Sequence, residues 1–421
     1  MNNVMETPAT LRDDKHHLVR VFIKGGMVTP EDLMAILEAS GTLGNEFIFF
    51  GSRQDILFPA RSGSLTNLAE QLATRQIDVR QGHRDLFQNL VSSTVAIGIT
   101  NTTEWLDLGS YRSVLDAFAH PPQLKINITD PRQAMVPLFT GDLNFVASAK
   151  PQYWYLYLRN AHAGDRLEKW PTLVHSTDIA KLSVFLEQRL LKDRMAMLPD
   201  LIAGLAEHIK LNTIVTREDL RLPTPYFPCY EGMESLGDGK SWLGLYWRNN
   251  RFHIPFLVRA CQLCIDGRIP YFYITPWKSF VIKDIRDDDR LEWERLMGGM
   301  GINMRHSSLE LNWHIPVLDE EALQLKQFLV GELDQQDICT HGLTFSIITE
   351  DSPRWFTSIV IKRKGARGNR STESFDLYYA ERFDPNTLRY FEYAKGVAMD
   401  VIPALLVELS KSYYSRVAPK T

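Results

Sequence analysis

The sequence predicts an α+β fold built from two ferredoxin-like units related by a pseudo-twofold, each joined to a larger mixed α/β segment. Three observations predict it. Residues 19–73 read in the order β-α-β-β-α, the order of a small ferredoxin-like sandwich. The pattern then returns: FIFFGSRQDILF (47–58) and YFYITPWKSFVI (271–282) are each an apolar run, a four-residue interruption and a second apolar run, preceded by a helical stretch. Finally, 421 residues exceed what one core organises, taking ~150 residues per domain.

In chain order, residues 1–17 are polar and are expected to be a mobile terminus. Residues 19–23 read as a strand. Thr29-Pro30-Glu31-Asp32 is a helix start: a threonine N-cap, proline at the first helical position and acids in the first turn, followed by Leu33, Ile36 and Leu37 at helical spacing. Strands at 47–50 and 56–58 flank Gly51-Ser52-Arg53-Gln54, and 65–73 is helical. From 86 to 158 the pattern is mixed. VSSTVAIGIT reads as a buried strand or turn, Leu124 to Ile128 as an alternating, half-buried strand carrying Lys125, and Tyr153 to Arg159 as an aromatic strand. Between them lies the tight Thr140-Gly141-Asp142 turn. A lone lysine in a strand, close to a turn rich in backbone donors, suggests an anion. Residues 176–191 and 198–209 carry apolar positions at helical spacing, and the proline-rich 220–232 is the best linker. A second copy begins near Ser241, with helices at 256–265 and 291–297. The expected division is 1–17 terminus, 18–80 first unit, 81–219 first mixed segment, 220–232 linker, 233–315 second unit and 316–421 second mixed segment.

Composition is that of an ordinary globular chain, 44% hydrophobic and 23% charged. A net charge of -4 gives no basic field for nucleic acid, and no stretch approaches a membrane span, so neither partner is expected. Four cysteines make no disulfide framework at this length, which points to a reducing cytoplasm. Cys261 and Cys264 have knuckle spacing but sit in an apolar helical stretch without a second pair, so they read as buried thiols. His253 and His314 read as core or strand histidines. There is no P-loop, dinucleotide fingerprint or nucleophile elbow. IKRKGARGNRST (361–372) places Lys362, Arg363, Lys364, Arg367 and Arg370 between two strand-like runs. It reads as a hairpin tip that is either a solvated loop or a docking surface for an acidic partner.

Order and spacing together resemble the nitrite and sulfite reductase family, sirohaem enzymes of two pseudo-symmetric halves. GSRQDILF, HPPQLKINITDP with TGDLNFVAS, and YITPWKSFVIKDI carry the resemblance, which covers most of the chain. It implies that each mixed segment is a reductase-like half-domain. A sirohaem carries eight carboxylates and reduces an oxyanion, so the family lines its site with cations. The resemblance places Arg53 at a haem-contacting arginine, followed by Gln54, and Lys125 at one of two active-site lysines. The other lysine is Gln123 here, and an expected arginine is Gln88. The family's [4Fe–4S] cluster takes Cys-x5-Cys and later Cys-x3-Cys. Here Cys339 stands at a first position, Phe345 replaces the second, and no cysteine follows. Such clusters need thiolates, normally four, so none is expected. The resemblance therefore implies a cluster-less branch: an electron-transfer or accessory protein of nitrite or sulfite metabolism, with an acidic rubredoxin or ferredoxin as partner. Some relatives with this pattern carry a C-terminal rubredoxin module, and the expectation is a member without it. The alternative is an oxidoreductase that retains sirohaem or another anionic tetrapyrrole.

Overall fold

In the computed structural model the described residues are 16–81, 86–163, 165–205, 208–222, 231–306, 309–310, 313–349, 354–364 and 373–417. The first unit comprises β1 (His16–Val21), β2 (Met27–Val28), α1 (Pro30–Thr42), β3 (Phe47–Phe50), β4 (Ile56–Arg61), α2 (Leu65–Ala73) and β5 (Val79–Gln81). Thr29 caps α1 as its sequence predicts, its hydroxyl accepting from Asp32 N at 3.1 Å. His16 and His17, expected in a mobile terminus, instead belong to β1 and pair with Arg61 and Ala60.

The following segment holds β6 (Val91–Ser92), α3 (Leu108–Asp116), β7 (Ile126–Thr129), β8 (Leu143–Ala147), β9 (Tyr153–Arg159), β10 (Leu167–Lys169), β11 (Thr172–His175), α4 (Ile179–Lys192), α5 (Leu198–Ala203) and β12 (Thr213–Val215). Two expectations change here. The strand read as half-buried is fully buried, because β7 runs parallel between β6 and β8 in the middle of its sheet. The helix expected over 198–209 stops at Ala203, where the Gly204 N–H closes back on Asp200 O at 3.2 Å. Of the expected linker, 223–230 lies outside the described residues.

The second unit comprises β13 (Gly232–Gly237), β14 (Lys240–Tyr246), β15 (Phe252–His253), α6 (Ile254–Asp266), β16 (Phe272–Ile274), β17 (Ser279–Arg286) and α7 (Arg290–Gly299). The last segment holds β18 (Trp313–His314), α8 (Glu320–Gln335), β19 (Phe345–Ile348), β20 (Ile359–Lys364), β21 (Ser374–Ala380), β22 (Tyr390–Val397) and α9 (Ile402–Val417).

The sheet orders make the pseudo-twofold explicit. The first unit's sheet is β15-β3-β4-β1-β5 and the second's is β13-β14-β17-β16-β2. Read in opposite directions, the orders match at β1 and β14, β4 and β17, and β3 and β16, and each sheet contains an edge strand donated by the other unit. Phe252 opposite Ile48 matches Val28 opposite Phe272. One apolar core accordingly runs through both units, from Val19 and Leu33 to Phe256 and Trp293. The two half-domains agree as well: β6, β7 and β8 are parallel neighbours and β9 is antiparallel, as are β18, β19, β20 and β21. Lys283 of β17 ties the second unit to the first half-domain. Its ammonium donates to Thr94 O at 3.1 Å and Ile97 O at 3.0 Å and lies 3.8 Å from the Tyr273 ring centroid.

Candidate anion site

The interruption between β3 and β4 is a tight turn: Gly51 N donates to Asp55 O at 2.9 Å, and Gln54 takes a left-handed φ of 59°. The turn pushes Arg53 into the first half-domain, where its guanidinium donates to Asn127 Oδ1 at 2.6 Å, Asn89 O at 2.8 Å and Ile126 O at 2.9 Å. Its Nε is buried without a partner. Burial lowers this guanidinium to about 9, against the opposing pull of Asp142 and Asp55.

Lys125 precedes β7. Its backbone explains the Thr140-Gly141-Asp142 turn: Lys125 N donates to Asp142 Oδ2 at 2.6 Å, and its carbonyl accepts from Asp142 N at 2.6 Å and Leu143 N at 3.1 Å. A Cβ on Gly141 would stand 2.8 Å from that carbonyl, so no larger residue fits the turn. The half-buried Lys125 ammonium makes no hydrogen bond or ion pair among the described residues. Burial lowers its pKa to about 8, and the like charges of Arg53 and Arg354 push the same way. The structure thus brings Arg53 and Lys125 together.

Arg354, which carries no motif, completes the cluster from the second half-domain. It donates to Asp142 Oδ1 at 2.5 Å, Arg159 O at 2.8 Å and Thr140 O at 3.4 Å. Arg159 is bound in turn by Asp165 at 2.7 Å, and Arg20 by Asp55 at 2.9 Å. Lys125 is therefore the cation of this cluster left without a bonded oxygen. Arg354 and Arg159 were not legible, since single arginines far apart in sequence give no local signal.

The glutamines divide. Gln54 is fully buried and spends its whole amide inside the protein, on Ser92 N and O and on Ile274 O. It presents nothing to a ligand, which corrects its reading as a cleft residue. Gln88 and Gln123 are half-buried and close to each other through Gln88 N, which donates to Pro122 O at 2.7 Å. The Gln88 amide donates to Leu86 O at 3.1 Å, and Gln123 N donates to Glu187 Oε2 at 2.6 Å.

The described thiols do not converge, and Cys229 lies outside the described residues. Cys261 and Cys264 are buried in α6, where desolvation raises their pKa values far above the usual thiol range. Cys339 is exposed and lies 3.2 Å from the Tyr414 hydroxyl. Phe345 opens β19 and stacks on Trp313, centroids 4.7 Å apart and planes at 19°, so the position of the second family thiolate is core.

The basic hairpin also needs correction. β20 and β21 form the expected antiparallel pair. Arg363, however, is buried and held by Glu321 and by Glu373 at 2.8 Å, and Lys364 is paired with Asp376 at 3.0 Å. Buried Arg363 stabilises the hairpin base and presents no charge at the surface, whereas Lys364 is exposed. Lys362 stands in β20 opposite Asp376, and Arg367 and Arg370 lie outside the described residues.

Two reciprocally completed sheets with two parallel-strand half-domains, and a cationic cluster where the half-domains meet, define a pseudo-symmetric α+β scaffold. Residues 10–73 match the family model for the nitrite/sulfite reductase ferredoxin-like half domain, which bears out the family resemblance. Among solved structures, the Mycobacterium tuberculosis NirA protein is similar, with a TM-score of 0.72 over 95% of this chain and 81% of that one, at 15% identity. At that identity the likeness is one of fold. A search of the curated proteins finds no match. No helix among the described residues is long and apolar enough to cross a membrane.

Proposed function

We propose that this chain is a nitrite/sulfite reductase-like protein without the family's iron–sulfur electron delivery, serving as an electron-transfer or accessory protein in nitrite or sulfite metabolism. The observation that supports this reading is Phe345, at a position the resemblance gives to a cluster thiolate, packed on Trp313 within the core. Among the described residues Cys339 is exposed and the α6 thiols lie in another core, which supports the absence of a four-thiolate set. The test is iron and acid-labile sulfide analysis after anaerobic reconstitution. The expected content is background, unchanged by Cys339→Ser. Four irons per chain, lost in that variant, would overturn the proposal.

Lys125 favours a second reading, in which the site still holds an anion. One unbonded ammonium beside a committed Arg53 suits a single small oxyanion. It does not suit the eight carboxylates of sirohaem. Binding needs the charged amine, so sulfite or nitrite affinity should fall as pH rises through about 8, the value to which burial lowers Lys125. Calorimetric titration from pH 6.5 to 9.5 checks this, with Lys125→Met expected to abolish binding across the range. Affinity that is flat with pH and insensitive to the substitution ends this reading. Visible absorption of the purified protein separates it from tetrapyrrole retention.

A further inference from the structure

The first seam between unit and half-domain is filled. Gly25 and Gly26 lie against Leu115, Ser92 and the Gln54 amide, where any Cβ would stand within 2.5–2.6 Å of a neighbour. The equivalent seam of the second half is open. There the glycines are replaced by Asn249 and Asn250, and Gln54 is replaced by Lys278, whose φ of 60° matches the 59° of Gln54. A small cavity of about 40 Å³, open to solvent at its mouth, lies between this turn and the start of α8 and has room for a ligand of only a few heavy atoms. Phe49, Tyr246, Trp313 and Leu323 form its apolar walls.

Its polar groups are unevenly compensated. Lys326 is paired with Glu310 at 2.7 Å and Arg251 with Glu320 at 2.7 Å. Asp319 is engaged as the N-cap of α8 and by the Thr349 hydroxyl. Lys278, 5% exposed, donates to Ile315 O and has no carboxylate at ion-pair distance among the described residues. Asn249 Oδ1 is buried and accepts no hydrogen bond. A buried cation without a counter-charge and a buried acceptor without a donor both cost stability, and one ligand satisfies both.

The geometry points to a binding site for a small hydroxycarboxylate in this pocket, its carboxylate on the Lys278 ammonium and its hydroxyl donating to Asn249 Oδ1. Burial lowers the Lys278 amine to about 7, a penalty that a bound carboxylate offsets. The site is separate from the Lys125 cluster and does not depend on the reading given for it.

The experiment titrates the full chain with lactate and with propionate at pH 6.5, following the emission of Trp313 in the pocket wall. Saturable binding is expected, with lactate at least about tenfold tighter than propionate, the worth of one charge-assisted or buried hydrogen bond. Lys278→Gln should lose both ligands yet fold normally, because the first unit carries Gln54 at the same turn and the same φ. Asn249→Gly, compatible with its φ of 63°, should keep propionate and lose the preference for lactate. Circular dichroism and melting temperature verify both variants. No saturable response in the parent, or undiminished binding by a folded Lys278→Gln, overturns the inference. Equal affinity for lactate and propionate in the parent overturns the role given to Asn249.

Discussion

The two ferredoxin-like units share a strand order but close their inner turns by opposite means. In the first, Gly26 withdraws so that the Gln54 amide can reach Ile274 O at 2.8 Å. In the second, Asn250 sends its own amide across, accepting from Phe50 N at 3.0 Å and donating to Phe50 O at 2.8 Å. Phe50 and Ile274 are equivalent positions at the ends of β3 and β16. One backbone need, satisfaction of a strand end at the pseudo-twofold, is thus met by a side chain from the neighbouring turn in one half and from the donated segment in the other. Duplication fixes which main-chain groups must be satisfied; it leaves the residues that satisfy them free to diverge.

Exchanging the solutions breaks the comparison most severely in one direction. Gly26→Asn puts a Cβ 2.6 Å from Gln54 Nε2 and 2.8 Å from Ile274 O, at a φ of 75°. A loss of about 4 kcal/mol is expected in urea denaturation, from overpacking together with broken buried bonds. A close second is Arg354→Met, which removes the arginine that joins the half-domains across Thr140 and Asp142. Leaving Asp142 partly buried and unpaired should cost about 3 kcal/mol by the same measurement. The reverse exchange, Asn250→Gly, should cost only about 1–2 kcal/mol, because the lost amide bonds are partly offset by relief at a φ of 56°.

The last effect concerns pH. Lys278 has a folded pKa of about 7, below the 10.5 of the free amine, so its charged form is disfavoured by folding. Its penalty is complete below pH 7 and disappears as pH rises through 7 toward 10.5. The parent should therefore gain stability over that window relative to Lys278→Gln, whose curve lacks the rise. Melting temperatures at pH 6.5 and 9.5 measure the difference, and parallel shifts in the two proteins would remove Lys278 as its source.

These contrasts also show what the sequence could reveal. The repeat was legible because both turns interrupt two apolar runs at the same spacing, and the α1 start because threonine, proline and acids act locally. Arg53 and Lys125 were legible through the order of motifs around them. The reciprocal edge strands were not, because β2 and β15 are two residues each and carry no periodicity. Nor was the fate of Gln54 or Arg363. A glutamine or arginine reads the same in sequence whether its polar atoms face solvent or, as here, are consumed by Ser92 and Ile274 or by Glu321 and Glu373. The pocket beside Lys278 escaped for a related reason: its lining comes from segments as far apart in sequence as Phe49 and Lys326.

The exchange of β2 and β15 makes each half an incomplete template for itself. Split between the repeats into two polypeptides, the first fragment would present β3 with a vacant flank and the second would present β16 likewise, each holding the strand that the other lacks. Such fragments are built for complementation: poorly soluble when produced alone, and able to restore one another when produced together.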